Sequence, residues 1–198
     1  MFKKLLAAWL FACVALGAAA QDPDHEIHEE LRESLKIIES AIISGDYDAM
    51  QPVLSEQIRA TPVNQEFLSG RAAVSAYFKK WFGAGGYLKK LDMKLTPDAL
   101  TELSADKNWG VVYGNGVENY GLRDGRPYEI RTRWTAVMAK EGDGRWRVRA
   151  LHIGTNFLDN PILTEAEHSV VKAASAGLVG GLVVGGLLLW WVRRKKKV

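Results

Sequence analysis

From Ala173 to Val192 the chain runs for 20 residues without a charge, and no other feature restricts its fold as much. A stretch of that length crosses the hydrocarbon core of a bilayer as an α-helix rising about 1.5 Å per residue. It closes on Trp190-Trp191 and then Arg193-Arg194-Lys195-Lys196-Lys197. Tryptophans at the headgroup level followed by a basic cluster mark a cytoplasmic exit, so residues 193–198 are expected as a cytoplasmic tail. Everything before the span then lies on the far side, which predicts a single-pass inner (plasma) membrane protein with a periplasmic domain. Gly177, Gly181 and Gly185 recur at four-residue steps, a small-residue stripe suited to transmembrane packing against a second helix. Upstream, Thr164-Glu165-Ala166-Glu167 reads as a capping box. It predicts a helix start near Glu165 and a juxtamembrane stalk over residues 164–172.

The opposite end also carries an address. Residues 1–20, MFKKLLAAWLFACVALGAAA, have a basic start at Lys3-Lys4, an apolar core from Leu5 to Gly17 and a small-residue site at Ala18-Ala19-Ala20. That is the pattern of a secretory signal peptide. An uncleaved anchor and a lipidation site at Cys13 are the other readings of the same residues, although Phe11 is bulky for the second. Cleavage after Ala20 would remove the one cysteine, leaving neither a disulfide nor a thiol nucleophile. The formal net charge of +3 is misleading, because eight of the 26 basic residues lie outside residues 21–168. Within that segment 18 basic side chains face 23 acidic ones, a net of −5. Such a domain repels a phosphate backbone, so no nucleic-acid partner is expected.

Residues 21–163 are left to fold as one domain, a normal length for a single core. Ile27, Leu31, Leu35, Ile38 and Ile42 recur at three- and four-residue steps with glutamates opposite, which predicts an amphipathic helix over 25–44 ending at Gly45. Asp46-Tyr47-Asp48 suggests the cap of a shorter helix running to about Leu54, and Ser69-Gly70-Arg71 opens a third that ends at Gly83 to Gly86. The period then changes to alternation. Strands are read at 88–95, 99–104, 109–122, 128–140 and 146–157, with Asp124-Gly125 and Asp143-Gly144 as hairpin turns. The expected class is α+β: a curved antiparallel sheet with three N-terminal helices packed on one face, plus the C-terminal transmembrane helix.

Several runs carry a family likeness: AIISGDYDAM, then GRAAVSAYFKKWF, then RWTAVMAKEGDGRWRVRALHIG. In this order, residues 24–158 resemble the nuclear-transport-factor-2-like superfamily, and within it the SnoaL-like and calmodulin-dependent-kinase association-domain branch. The most specific piece is Arg133-Trp134-Thr135-x-Val137 followed by Asp143-Gly144-Arg145-Trp146 and His152. Ala150 stands where many relatives have a first histidine, and the hairpin loop is one residue longer. The resemblance implies a cone whose sheet curls around a pocket, and a homodimer through the outer sheet face.

Fold alone does not decide whether such a pocket is catalytic. Tyr47, Trp81, Tyr113, Trp134 and His152 are expected to line it, with Arg131 or Arg133 supplying charge for a small hydrophobic or anionic ligand. Arg133 and Trp134 are neighbours on one strand and must face opposite sides. Glu118 shares a strand face with Val112 and Tyr120, whereas Tyr113 and Asn115 share the other, so Glu118 is read as lying away from the pocket's polar groups. His152 is the candidate catalytic residue, paired with an acid from the helices. No cofactor is expected. His25-x-x-His28 with Glu29 has helical metal spacing but sits at the chain's mature end, and no metal is expected there. The residues therefore support a non-catalytic ligand-binding or assembly module. The alternative is a SnoaL-type isomerase or dehydratase moving a proton on a small hydrophobic carbonyl compound.

Overall fold

In the computed structural model, residues 23–195 are described, so the signal segment 1–20 lies outside the described residues. α1 spans His25–Ser44 and stops at Gly45, whose φ of 79° is the left-handed turn that glycine adopts without strain; its N–H caps the Ile42 carbonyl. Leu31 and Ile42 on one face of α1 enter the core. Two glutamates on α1 fix it against the sheet: the Trp146 N–H donates to Glu30 Oε1 (2.9 Å) and the Leu95 N–H to Glu39 Oε1 (2.6 Å).

The expected second helix is not there. After a turn at 47–50 comes a single 3-10 turn, Gln51–Val53, and then strand β1, Leu54–Thr61. Pro52 supplies no N–H for a helical ladder, and Leu54, Ile58 and Ala60 turn inward from an extended chain. β2 is the short Leu68–Ser69. α2, Arg71–Phe82, follows Gly70, whose φ is 88°. The remaining strands are β3 (Leu88–Pro97), β4 (Glu102–Leu103), β5 (Trp109–Leu122), β6 (Pro127–Lys140) and β7 (Trp146–Thr155). Sheet order is β2-β1-β7-β6-β5-β3, with β4 on β5. The α+β class holds, with a curved and mixed sheet: β1 runs parallel to β7 while the other pairs are antiparallel. Two α-helices, not three, cover its concave face.

In β5 and β6 the even-numbered positions turn toward the helices; Gly110, Gly116, Glu118, Ile130, Trp134 and Met138 are all buried. β7 begins in phase with Trp146 and Val148, but Met138 pairs with Val148 and Val137 with Ala150, so Arg149 is an extra residue in the ladder. That bulge reverses the faces beyond it. Ile153 is buried and His152 is exposed, the opposite of what unbroken alternation predicts.

α3, Pro161–Lys195, is one unbroken helix long and apolar enough to cross a membrane. It starts earlier than the capping-box reading placed it. Asn160 caps it, accepting the Leu163 N–H at 3.0 Å, and Pro161 occupies the first turn where its missing N–H costs nothing. Glu165 instead reaches back to the β5–β6 hairpin, accepting from Arg126 (2.6 Å) and from the Tyr128 hydroxyl. At the far end Arg194 and Lys195 lie over the rings of Trp190 and Trp191, at 4.0 and 3.8 Å.

Candidate binding cavity

Between the concave sheet face and the two covering helices lies a cavity of about 440 Å³. Its walls are largely aliphatic and aromatic: Leu35, Ile38 and Ile42 from α1, Val74 and Phe78 from α2, Met93 and Trp134 from the sheet. A small set of polar groups faces in, among them Glu118, Tyr120 and Tyr77, with His28 and Arg32 contributed by α1. The exposed part of the lining consists of Arg32, Pro97, Ala99 and Leu100.

Glu118 is the central group. It is 2% exposed, points inward from the middle of β5, and takes a hydrogen bond on each oxygen. The Tyr120 hydroxyl donates to one, and Thr132 Oγ1 donates to the other at 3.2 Å. Thr132 comes this close because residue 116 is glycine: a Cβ there would lie 2.3 Å from Thr132 Oγ1. Gly114 does the same for Trp134, whose Cζ2 would lie 2.7 Å from an added Cβ and whose indole N–H donates to the Asn115 carbonyl at 2.9 Å. Gly114 and Gly116 are thus clearances for these two neighbours on β6.

Burial raises the pKa of Glu118 above the ordinary carboxylate range, and the hydrogen bonds from Tyr120 and Thr132 oppose that rise only in part. Burial also raises both tyrosines, Tyr120 with the Glu118 charge adding to the effect, Tyr77 with Glu66 and then Glu118 adding. The closed end of the cavity thus holds one carboxyl that resists ionisation and two phenols that remain protonated. It can accept a hydrogen bond from a ligand hydroxyl or share a proton with one.

Trp134 lines the cavity, but the other expected pocket residues lie elsewhere. Tyr47 stacks on Phe78 with ring centroids 4.9 Å apart and packs against the core behind the lining. The Trp81 indole N–H is taken by Glu66 Oε1 at 2.8 Å. Tyr113, Arg131 and Arg133 occupy odd-numbered positions and so stand on the outer sheet face, while the bulge at Arg149 puts His152 there too. With His152 outside, a pairing of His152 with a helix acid in the cavity has no geometry. Two inward groups are not placed in the pocket by the sequence reading: Glu118, which it turns away from the pocket's polar groups, and His28, which is buried.

No family model and no curated protein matches the chain. Solved structures do. A nuclear-transport-factor-2-like superfamily protein from Salmonella enterica serovar Typhimurium aligns at TM-score 0.55 and 18% identity, covering 66% of this chain and 92% of that one. The fold is nuclear-transport-factor-2-like. A ketosteroid isomerase-like protein from Erwinia carotovora atroseptica aligns at 0.55 and 11% identity, covering 66% and 96%. A nuclear-transport-factor-2-like protein with a cystatin-like fold from Novosphingobium aromaticivorans aligns at 0.53 and 17%, covering 67% and 84%. In each case about two thirds of this chain is matched.

Proposed function

We propose that this chain is a membrane-tethered module whose periplasmic domain binds a small, neutral, hydrophobic compound, with Glu118 as its polar anchor. The observation that carries the reading is the pairing of an apolar cavity of about 440 Å³ with a single buried carboxyl at its closed end. At about 30 Å³ per water-sized unit, that volume suits a compound of roughly fifteen non-hydrogen atoms or fewer. An anionic group is disfavoured beside Glu118, so the ligand's polar end is a hydroxyl or carbonyl. Tethering rests on α3 and the orientation on the basic residues at its end. The cleaved signal peptide and the division into domain, stalk and span belong to the same proposal. So does homodimerisation, for which Gly177, Gly181 and Gly185 leave an unobstructed helix face.

The test is a thermal-shift screen of the full chain with matched alcohols, ketones and carboxylates. A ligand at a hundredfold excess over its dissociation constant stabilises by about 2.7 kcal/mol. Neutral compounds should raise the melting temperature and carboxylates should not, with Glu118→Gln weakening the neutral hits. Hits indifferent to Glu118→Gln would place binding elsewhere.

A second reading, proton transfer on a carbonyl compound, is favoured by the same carboxyl. A buried acid whose pKa burial raises, hydrogen-bonded to a phenol, is placed to exchange a proton with a ligand in the cavity. Deuterium uptake at the α-carbon of a small cyclic ketone, followed by NMR, separates the readings. Exchange that Glu118→Gln abolishes supports catalysis, and exchange at the buffer rate leaves binding alone.

A further inference from the structure

The outer sheet face holds two polar cross-links that act on the cavity from behind. β3 ends at Pro97, and the chain reaches β4 through Asp98–Thr101, whose Ala99, Leu100 and Thr101 line the cavity at its exposed end. Leu100 is 50% exposed, so this strap lies between the cavity and solvent. Its first foot is Asp98. The Asp98 N–H donates to the Tyr113 carbonyl at 3.0 Å, and its carboxylate accepts Arg133 Nη1 and Nη2 at 3.1 and 2.6 Å and Asn115 Nδ2 at 2.9 Å. Arg133 Nη1 also donates to Asn115 Oδ1 at 2.9 Å, closing a three-residue ring. The second foot is Glu102, which accepts the Tyr113 hydroxyl at 2.9 Å.

Gly114 lies between the feet. A Cβ there would stand 2.2 Å from the Thr96 carbonyl and 2.8 Å from the Pro97 Cα, so only glycine lets the strap begin this close to β5. The strap is therefore held at both ends by outward-facing side chains while its apolar middle faces the cavity.

We propose that residues 97–103 form a gate over the cavity, latched by Arg133 on Asp98 and Asn115 and pinned by Tyr113 on Glu102. Arg133 and Tyr113 are then positioning residues: they touch no ligand but set how often Ala99 and Leu100 move aside. The side chains of Arg133 and Asp98 remain 56% and 31% exposed, so their pairing is a modest tie that salt screens. A tie of that strength suits a gate, which has to open as well as close. This inference rests on the binding reading above.

The experiment uses the full chain in lipid nanodiscs, with 2-naphthol as a neutral fluorescent probe and empty nanodiscs as baseline. Arg133→Ala should raise the association and dissociation rates together by about fivefold, the effect of losing one exposed ion pair, and leave the dissociation constant nearly unchanged. Arg133→Lys should restore part of the effect, because a point charge replaces a planar fork. High salt should speed exchange in the wild type and not in Arg133→Ala. Tyr113→Phe, a smaller change, should act in the same direction. Hydrogen exchange at residues 98–103 should quicken in both variants while the β5–β6 amides stay protected, which general loosening would not produce. Naphthol bound with the same rates in wild type and both variants would overturn the latch alone. No naphthol uptake by the wild type would overturn the binding reading and the gate with it.

Discussion

Gly116→Ala tests the architecture around Glu118 directly. The added Cβ would lie 2.3 Å from Thr132 Oγ1 and 3.1 Å from Leu95 Cδ2, whereas the Thr132 Cβ is 3.7 Å away, an ordinary contact. The leucine methyl can yield. The threonine hydroxyl cannot, because at its present position it is bonded to Glu118, and turning away breaks that bond. Overpacking a filled site costs about 1–3 kcal/mol, and leaving a buried carboxyl short of a donor adds about 1–2 kcal/mol. The sum is about 3 kcal/mol, a fall of roughly 6–12 °C in melting temperature for a chain of this size. Thr132→Ala alone loses only the hydrogen bond, about 1–2 kcal/mol. In the double variant Gly116→Ala/Thr132→Ala the obstructing oxygen is gone, so its cost should match Thr132→Ala alone. The cycle therefore predicts a coupling equal to the whole Gly116→Ala cost, about 3 kcal/mol. Thermal melts of the four proteins in mild detergent, followed by near-ultraviolet circular dichroism, measure it. A double variant destabilised by the sum of the singles would refute the claim that Gly116 exists to admit the Thr132 hydroxyl.

Three further outcomes are expected. A soluble fragment of residues 23–163 should fold without α3, since α3 meets the domain chiefly through Glu165 on Arg126 and Tyr128; one-dimensional NMR of the fragment checks this, and collapsed, undispersed signals would mean that α3 completes the core. A reporter that works only outside the cytoplasm should be active when fused after Pro161, and cytoplasmic activity there would reverse the orientation argued from the basic residues closing α3. Glu118→Gln should change how stability depends on pH. Because burial raises the Glu118 pKa, the folded state holds that proton more tightly than the unfolded chain. Its contribution is complete below the ordinary glutamate range and is lost as pH rises toward the raised value. The glutamine variant, which cannot ionise, should therefore gain on the wild type in urea unfolding as pH rises above the ordinary glutamate range. A gap that shrinks with rising pH would show that the folded state favours the carboxylate.

What could be read in the sequence was local, and what escaped it was set by distant strands. α1 and the Asp124-Gly125 and Asp143-Gly144 turns follow from periodicity and turn chemistry within a few residues, and the folded chain has them. β1 has no such signature, because its parallel partner β7 lies nearly a hundred residues away and its own apolar positions are irregular. The site was misplaced for a subtler reason. Alternation separates the two faces of β5, with Glu118 alongside Val112 and Tyr120, but β5 alone does not show which face is concave. β6 held the information needed. Over residues 129–136 its odd positions Glu129, Arg131, Arg133 and Thr135 are polar, whereas three of the four even ones, Ile130, Trp134 and Ala136, are apolar, which marks the even face as inner. Pairing Glu118 against Ile130 then turns it inward. His152 could not be placed by the same count, since the bulge at Arg149 exchanges faces after Val148 and leaves no signal in the residues themselves. The aromatic and basic side chains that looked like pocket groups were thus in the right strands at the wrong parity. Two of them, Tyr113 and Arg133, still bear on the cavity, because the strap they hold from outside carries Leu100 to its exposed end.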